Sequence, residues 1–144
     1  LGPLGYRINA GAYWHPAFPY GSALTGLSSA QLASTYQTTT GRQWQQQLGP
    51  SLALFDAMVA TLKSAGNPKD KSAVAKAMSR LQTTTVMGRI DFVNGPVPNV
   101  ATTNLIGAQW LKATSGKYKL DYRTFEHAED PSVPIQGPLE PYKM

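Results

Sequence analysis

Cysteine is absent from the 144 residues. Its absence excludes a disulfide framework, a thiol nucleophile and every cysteine-based zinc or iron–sulfur site, and it fits any compartment, a bacterial periplasm included. Charge is scarce as well. Charged residues make up 15% of the chain, where ordinary soluble domains carry about 25%. No apolar run approaches the ~20 residues that a membrane-spanning helix needs. Glycine and proline, 13 and 11 residues, are too few for a collagenous or low-complexity chain, and 42% hydrophobic residues are too many for a disordered tail. What is left is a folded chain of about one domain, long enough to bury ~68–70% of its unfolded surface. It begins at Leu1 without a basic-then-apolar leader, so a processed or truncated product is expected.

Catalytic groups are few. His15 and His127 lie over a hundred residues apart, neither in an H-E-x-x-H arrangement, so no metal site is expected. Ser22 follows Gly21 but lacks the second glycine of a nucleophile elbow. Ser115-Gly116-Lys117 has no glycine-rich prelude and is no phosphate loop. The acidic residues are scattered, and no pair suggests two carboxylates held ~5–10 Å apart. No catalytic residue and no cofactor is therefore expected. The net charge of +5 is mild, and its largest cluster (Lys63, Lys69, Lys71, Lys76, Arg80) reads as a solvated face, with no nucleic-acid partner.

Hydrophobic spacing predicts the elements. Residues 6–14 are extended, with Ile8, Ala10 and Ala12 on one parity. Ser28-Ser29-Ala30-Gln31 is a capping box, with Leu27 and Leu32 as its staple, and Gly41 is a stop, so 29–40 is a helix with Leu32 and Tyr36 on one face. A second helix follows Gly49-Pro50. Leu52, Phe55, Val59 and Leu62 form its buried stripe, Leu54 and Met58 widen it, and Gly66 ends it. Asp56 within it reads as an exposed or interface charge. A third helix is expected at 70–81, with Val74, Met78 and Leu81 inward. Residues 83–92 read as one extended piece. Strands at 105–112 and 117–124, joined by Thr114-Ser115-Gly116, form an antiparallel hairpin. The proline-bearing tail from Glu126 is irregular.

One stretch stands out chemically. Tyr13, Trp14, His15 and Phe18 lie on a loop stiffened by Pro16 and Pro19. They could wall a recognition site, or Trp14 and Phe18 could plug a core between loop and sheet. Gln46, Gln47 and Ser51 stand at the start of the second helix, where free N–H groups and the positive dipole end suit a carboxylate; a solvated polar stretch is the simpler reading for the glutamines. Trp44 reads as a packing residue.

The succession Tyr13-Trp14-His15-Pro16, Ser28…Leu32…Tyr36…Gly41-Arg42 and Ser51-Leu52-Ala53-Leu54-Phe55-Asp56…Ala65-Gly66 resembles the last part of type I periplasmic binding proteins, the Leu/Ile/Val type of ABC-transporter solute-binding protein. So do Thr85-Val86-Met87-Gly88-Arg89-Ile90-Asp91-Phe92 and Asn104-Leu105-Ile106-Gly107-Ala108-Gln109-Trp110. The resemblance covers about residues 5–125. It implies an α/β fold, the C-terminal part of a two-lobed structure of parallel sheets flanked by helices and joined by hinge crossovers. Residues 1–13 would be a strand of one lobe leading to a crossover, 14–104 the helical part of the other lobe, and 105–144 a crossover, hairpin and tail returning to the first. The 144 residues would then not close a globule alone. The resemblance also implies a non-enzymatic protein, exported to the periplasm or cell exterior. It would bind a small amino-acid-like or aromatic or branched carboxylate through Tyr13, Trp14, His15, Phe18, Gln47 and Ser51. Its partners would be that ligand, the missing N-terminal portion of the same binding protein and a membrane permease. Leu52 stands where family members often have tyrosine, which implies a more apolar ligand. A ligand-sensing regulatory protein on the same fold is the alternative.

Overall fold

The computed structural model describes residues 2–142; Leu1, Lys143 and Met144 lie outside. The chain divides into two compact units, Trp14–Asn104 and the combination of Leu1–Tyr13 with Leu105–Met144. Helices and strands are both present, and the fold is α/β.

The continuous unit carries three helices and a hairpin. Helix α1 is Ser29–Thr40. Ser28 Oγ accepts from the Gln31 amide at 3.2 Å while Gln31 Oε1 accepts from the Ser28 amide at 2.9 Å. This reciprocal cap satisfies two donors that a helix start leaves open. Gly41, at φ 69°, closes the helix in a left-handed conformation that costs glycine little. Helix α2, Leu48–Ser64, has no side-chain cap. Helix α3, Lys71–Met78, starts on Asp70, whose carboxylate accepts from the amides of Ser72 and Ala73. All five basic residues of the cluster are exposed.

Expectations about one extended segment and about which way the helices face fail in this unit. Residues 83–92 are not one extended piece but a hairpin of β1, Gln82–Thr85, and β2, Gly88–Asp91. Val86 and Met87 make the turn. Thr85 Oγ1 accepts from the Met87 amide and donates to the Gly88 carbonyl, each at 3.0 Å, and Gly88 supplies a φ of 96°. A threonine hydroxyl and one glycine thus do the work usually signalled by an Asn-Gly pair. The second failure is the facing of α2. Its buried residues are Gly49, Ala53, Asp56 and Thr61, whereas Leu54, Phe55 and Met58 are 68%, 53% and 45% exposed. Met78 of α3 is likewise exposed while Leu81 is buried.

The other unit is a three-stranded sheet. A strand at Asn9–Ala12 (β3) pairs with Ile106–Lys112 (β4), which pairs with Leu120–Glu126 (β5), so β4 is central. Of the residues on one parity of the segment, Ala12 is buried while Ile8 and Ala10 are exposed. A bulge at Gly107/Ala108 shifts the register of the β4–β5 pair, and a side chain at Gly107 would meet Phe125 and the Glu126 β-carbon at 2.9 Å. Gln109, fully buried, donates its amide to the carbonyls of Arg7 and Glu140, both at 2.8 Å, and accepts from the Glu140 amide at 2.9 Å. One side chain thus stands in for a strand between the two ends of the sequence. Trp110 stacks on Tyr122 at 4.7 Å, and the Tyr122 hydroxyl donates to the Ala10 carbonyl. Among the described residues the tail after Glu126 has no helix or strand, yet it packs: Val133 is buried and Thr124 Oγ1 donates to the Pro134 carbonyl. Among the described residues every ladder is antiparallel. Parallel pairing of complete lobes would need strands from outside these residues.

Candidate functional site

Trp14 opens the continuous unit with none of its surface exposed. A β-carbon built at Gly49, in the first turn of α2, would lie 2.1 Å from Trp14 Cγ. Only glycine lets the indole approach the helix this closely. Trp44 meets Trp14 edge-on at 5.7 Å and His15 edge-on at 5.1 Å, a T-shaped geometry that aromatic rings favour. Trp44 is therefore the packing residue its position suggested.

His15 is buried. Its Nδ1 accepts from the Ala17 amide at 2.9 Å and its carbonyl accepts from the Phe18 amide at 3.0 Å. The ring nitrogen thus pins the turn that the two prolines only bias. Phe18 is buried and meets Tyr20 edge-on at 6.1 Å. The structure brings Trp14 and His15 together around Trp44 and turns both, with Phe18, into the core. Gln47 and Ser51 are exposed and share the first turn of α2, the Ser51 amide donating to the Gln47 carbonyl at 3.1 Å. Tyr13 is half-buried and belongs to the other unit.

The residue the sequence placed wrongly is Asp56. It is 1% exposed, and its Oδ1 accepts from the Ser22 hydroxyl at 2.6 Å and the Leu24 amide at 2.8 Å. Ser22 Oγ also accepts from the Thr25 amide, and its backbone bonds Gly26 and Leu27. A buried carboxylate is tolerated only with such partners, so Asp56 ties the loop after the aromatic segment to α2. Its Oδ2 and the Trp14 Nε1 are buried without a hydrogen-bond partner. The signal was one acidic residue inside an otherwise apolar helix.

Asp91, the last residue of β2, is held by the side chain and amide of Asn94, with Gln82 Nε2 and the Val93 amide adding to them, and these bonds push its carboxyl well below the usual aspartate range. Two open hollows of about 230 and 280 Å³ lie elsewhere in this unit. One is lined by residues including Ser64, Lys76 and Arg80, the other by Gln82, Thr83, Thr84 and Arg89. Neither includes a predicted site residue. Among the described residues no group of three or more acidic or histidine side chains could hold a metal ion, and no helix is long and apolar enough to cross a membrane.

No protein-family model and no curated protein matches the chain. A solved structure does: the crystal structure of an ABC-type branched-chain amino acid transporter from Rhodopseudomonas palustris, at 14% sequence identity and a TM-score of 0.59. The match covers 90% of this chain and 33% of that one. The likeness is one of fold. These residues form an α/β arrangement shared with a third of that longer chain, part of the architecture that the resemblance implies.

Proposed function

We propose that the chain is the C-terminal portion of an extracytoplasmic solute-binding protein of an ABC uptake transporter. It binds a small amino-acid-like or an aromatic or branched carboxylate in the cleft of the complete protein and makes or breaks no bond. The observation that carries the reading is the fold likeness over 90% of the chain to a structure described as an ABC-type branched-chain amino acid transporter. The thin catalytic inventory of the sequence agrees with it.

In this reading residues 1–13 and 105–144 belong to one lobe and 14–104 to the other. Ligand binding shifts a hinge equilibrium toward a closed form that a membrane permease recognises outside the cytoplasm. Gln47 and Ser51, exposed at the start of α2, are the direct polar contacts through their side-chain amide and hydroxyl, at the positive end of the helix dipole. Trp14, His15 and Phe18 act by holding the loop's shape, and Tyr13 adjoins the crossover. The test is calorimetric titration of the complete protein with aliphatic, branched and aromatic amino acids and their deaminated analogues. Saturable one-to-one binding of one class is expected. Turnover of an acyl substrate, or no heat with any of them, would overturn the reading.

A further inference from the structure

The loop that follows β2 carries the chain's one Asn-Gly pair. Of the five asparagines, Asn9, Asn67, Asn94, Asn99 and Asn104, only Asn94 precedes a glycine. Asn94 is exposed. The fold itself demands the glycine: a β-carbon at position 95 would lie 1.6 Å from the Val100 carbonyl oxygen. The same bare backbone leaves the Gly95 nitrogen with no side chain to shield it. Among the described residues its N–H donates no hydrogen bond. An open backbone nitrogen beside an exposed asparagine carboxamide is the arrangement from which this thermolabile residue loses ammonia.

Asp91 restrains that chemistry. Its Oδ1 accepts from the Asn94 amide at 2.9 Å and its Oδ2 from Asn94 Nδ2 at 3.0 Å. A carboxylate gripping Nδ2 fixes the side chain and strengthens the carboxamide's hold on the nitrogen that must leave. We propose that Asn94 is a spontaneous deamidation site whose rate is set by the Asp91 carboxylate. The Gly95 nitrogen gives its proton to hydroxide and attacks Asn94 Cγ. The new N–Cγ bond closes a succinimide ring, the Cγ–Nδ2 bond breaks, and the nitrogen leaves as ammonia with a proton from water. A further water molecule opens the ring and leaves aspartate or isoaspartate at position 94. Either product lacks the Nδ2 donor and brings a second carboxylate beside Asp91, where like charges repel. The loop that closes on Asp91 is thereby loosened, whatever the protein binds.

The test is incubation of the complete polypeptide between pH 6 and pH 8, native and in urea. Peptide mapping by mass spectrometry reads the amide-to-acid conversion at each asparagine, and enzymatic methylation marks isoaspartate. Conversion at Asn94 at least tenfold faster than at the other four asparagines, rising with pH, is the expected result. Asp91→Ala should raise the native rate at Asn94 at least threefold. In urea, where Asp91 no longer holds the side chain, the two sequences should convert at the same rate, above that of the folded native chain. The urea comparison needs no variant to fold. Asn94 converting no faster than the other asparagines would overturn the site. A folded native rate equal to or above the urea rate, or an unchanged rate in folded Asp91→Ala, would overturn the role of Asp91.

Discussion

The indole of Trp14 occupies the space where residue 49 would carry a β-carbon, with Trp14 Cγ only 2.1 Å from that position. In an open helix, replacing glycine by alanine stabilises by about 0.5–1 kcal/mol. Here the sign reverses. Gly49→Ala is expected to destabilise the protein by about 1–3 kcal/mol, the usual range for overpacking, measured by urea denaturation at neutral pH. A gain in stability would mean that the aromatic loop moves aside freely and is not seated on α2.

The Ser22–Asp56 bond predicts a coupling. Ser22→Ala and Asp56→Ala each leave a polar group behind, and each should cost about 1–3 kcal/mol. Because the partners touch, the double variant should cost less than the sum, by at least about 0.5 kcal/mol. Asp56→Asn keeps an acceptor oxygen and should be milder than Asp56→Ala. Strict additivity in the denaturation cycle would show that the two side chains do not share one interaction.

Gln109 makes three hydrogen bonds to the backbone of Arg7 and Glu140. Gln109→Leu fills a similar volume but removes all three, at about 1 kcal/mol per bond. Hydrogen exchange offers the sharper readout. The Glu140 amide should lose its protection in the variant while the amides of α1 keep theirs, and unchanged protection at Glu140 would refute the clasp.

The bonds around Asp91 predict an acid sensitivity for the hairpin. Its carboxyl titrates well below the ordinary aspartate value, chiefly through the Asn94 side chain and amide, and Arg89 adds an ion pair at 3.2 Å. A depressed folded-state value means stability that is fully present above the unfolded value of about 3.9 and is lost as pH falls below it toward the folded value. Melting curves between pH 5 and pH 2 should therefore fall less steeply for Asp91→Asn than for the native sequence. Parallel curves would exclude Asp91 as a contributor.

How much of this was legible depends on where the information lies. The α1 boundaries follow from short-range chemistry: Ser28, Gln31 and Gly41 specify a start and a stop within their own neighbourhood. The β4–β5 pairing was readable for the same reason, a local turn between alternating segments. The facing of α2 was not, because spacing reports that a helix has a stripe, not which neighbour covers it. Leu52, Phe55, Val59 and Leu62 satisfied the period, but partners distant in sequence, Trp14 against Gly49 and Ser22 against Asp56, decided which side turned in. The Val86–Met87 turn was hidden because neither residue signals a turn; Thr85 and Gly88 on either side supply its geometry. Of the candidate site, the aromatic cluster was visible as composition, whereas the inward orientation of Trp14, His15 and Phe18 required a fold to see.

The pairing of Asn9 with Gln109 joins positions about a hundred residues apart. Closing so long a loop carries an entropic cost that falls when the intervening segment is already condensed. The ribbon of β4 and β5 spans far less chain and can zip on its own. Assembly of these residues is therefore expected to have a direction: the stretch from Trp14 to Asn104 contracts first, the late hairpin forms locally, and the strand at Asn9–Ala12, although it precedes both in the sequence, is the last to find its place.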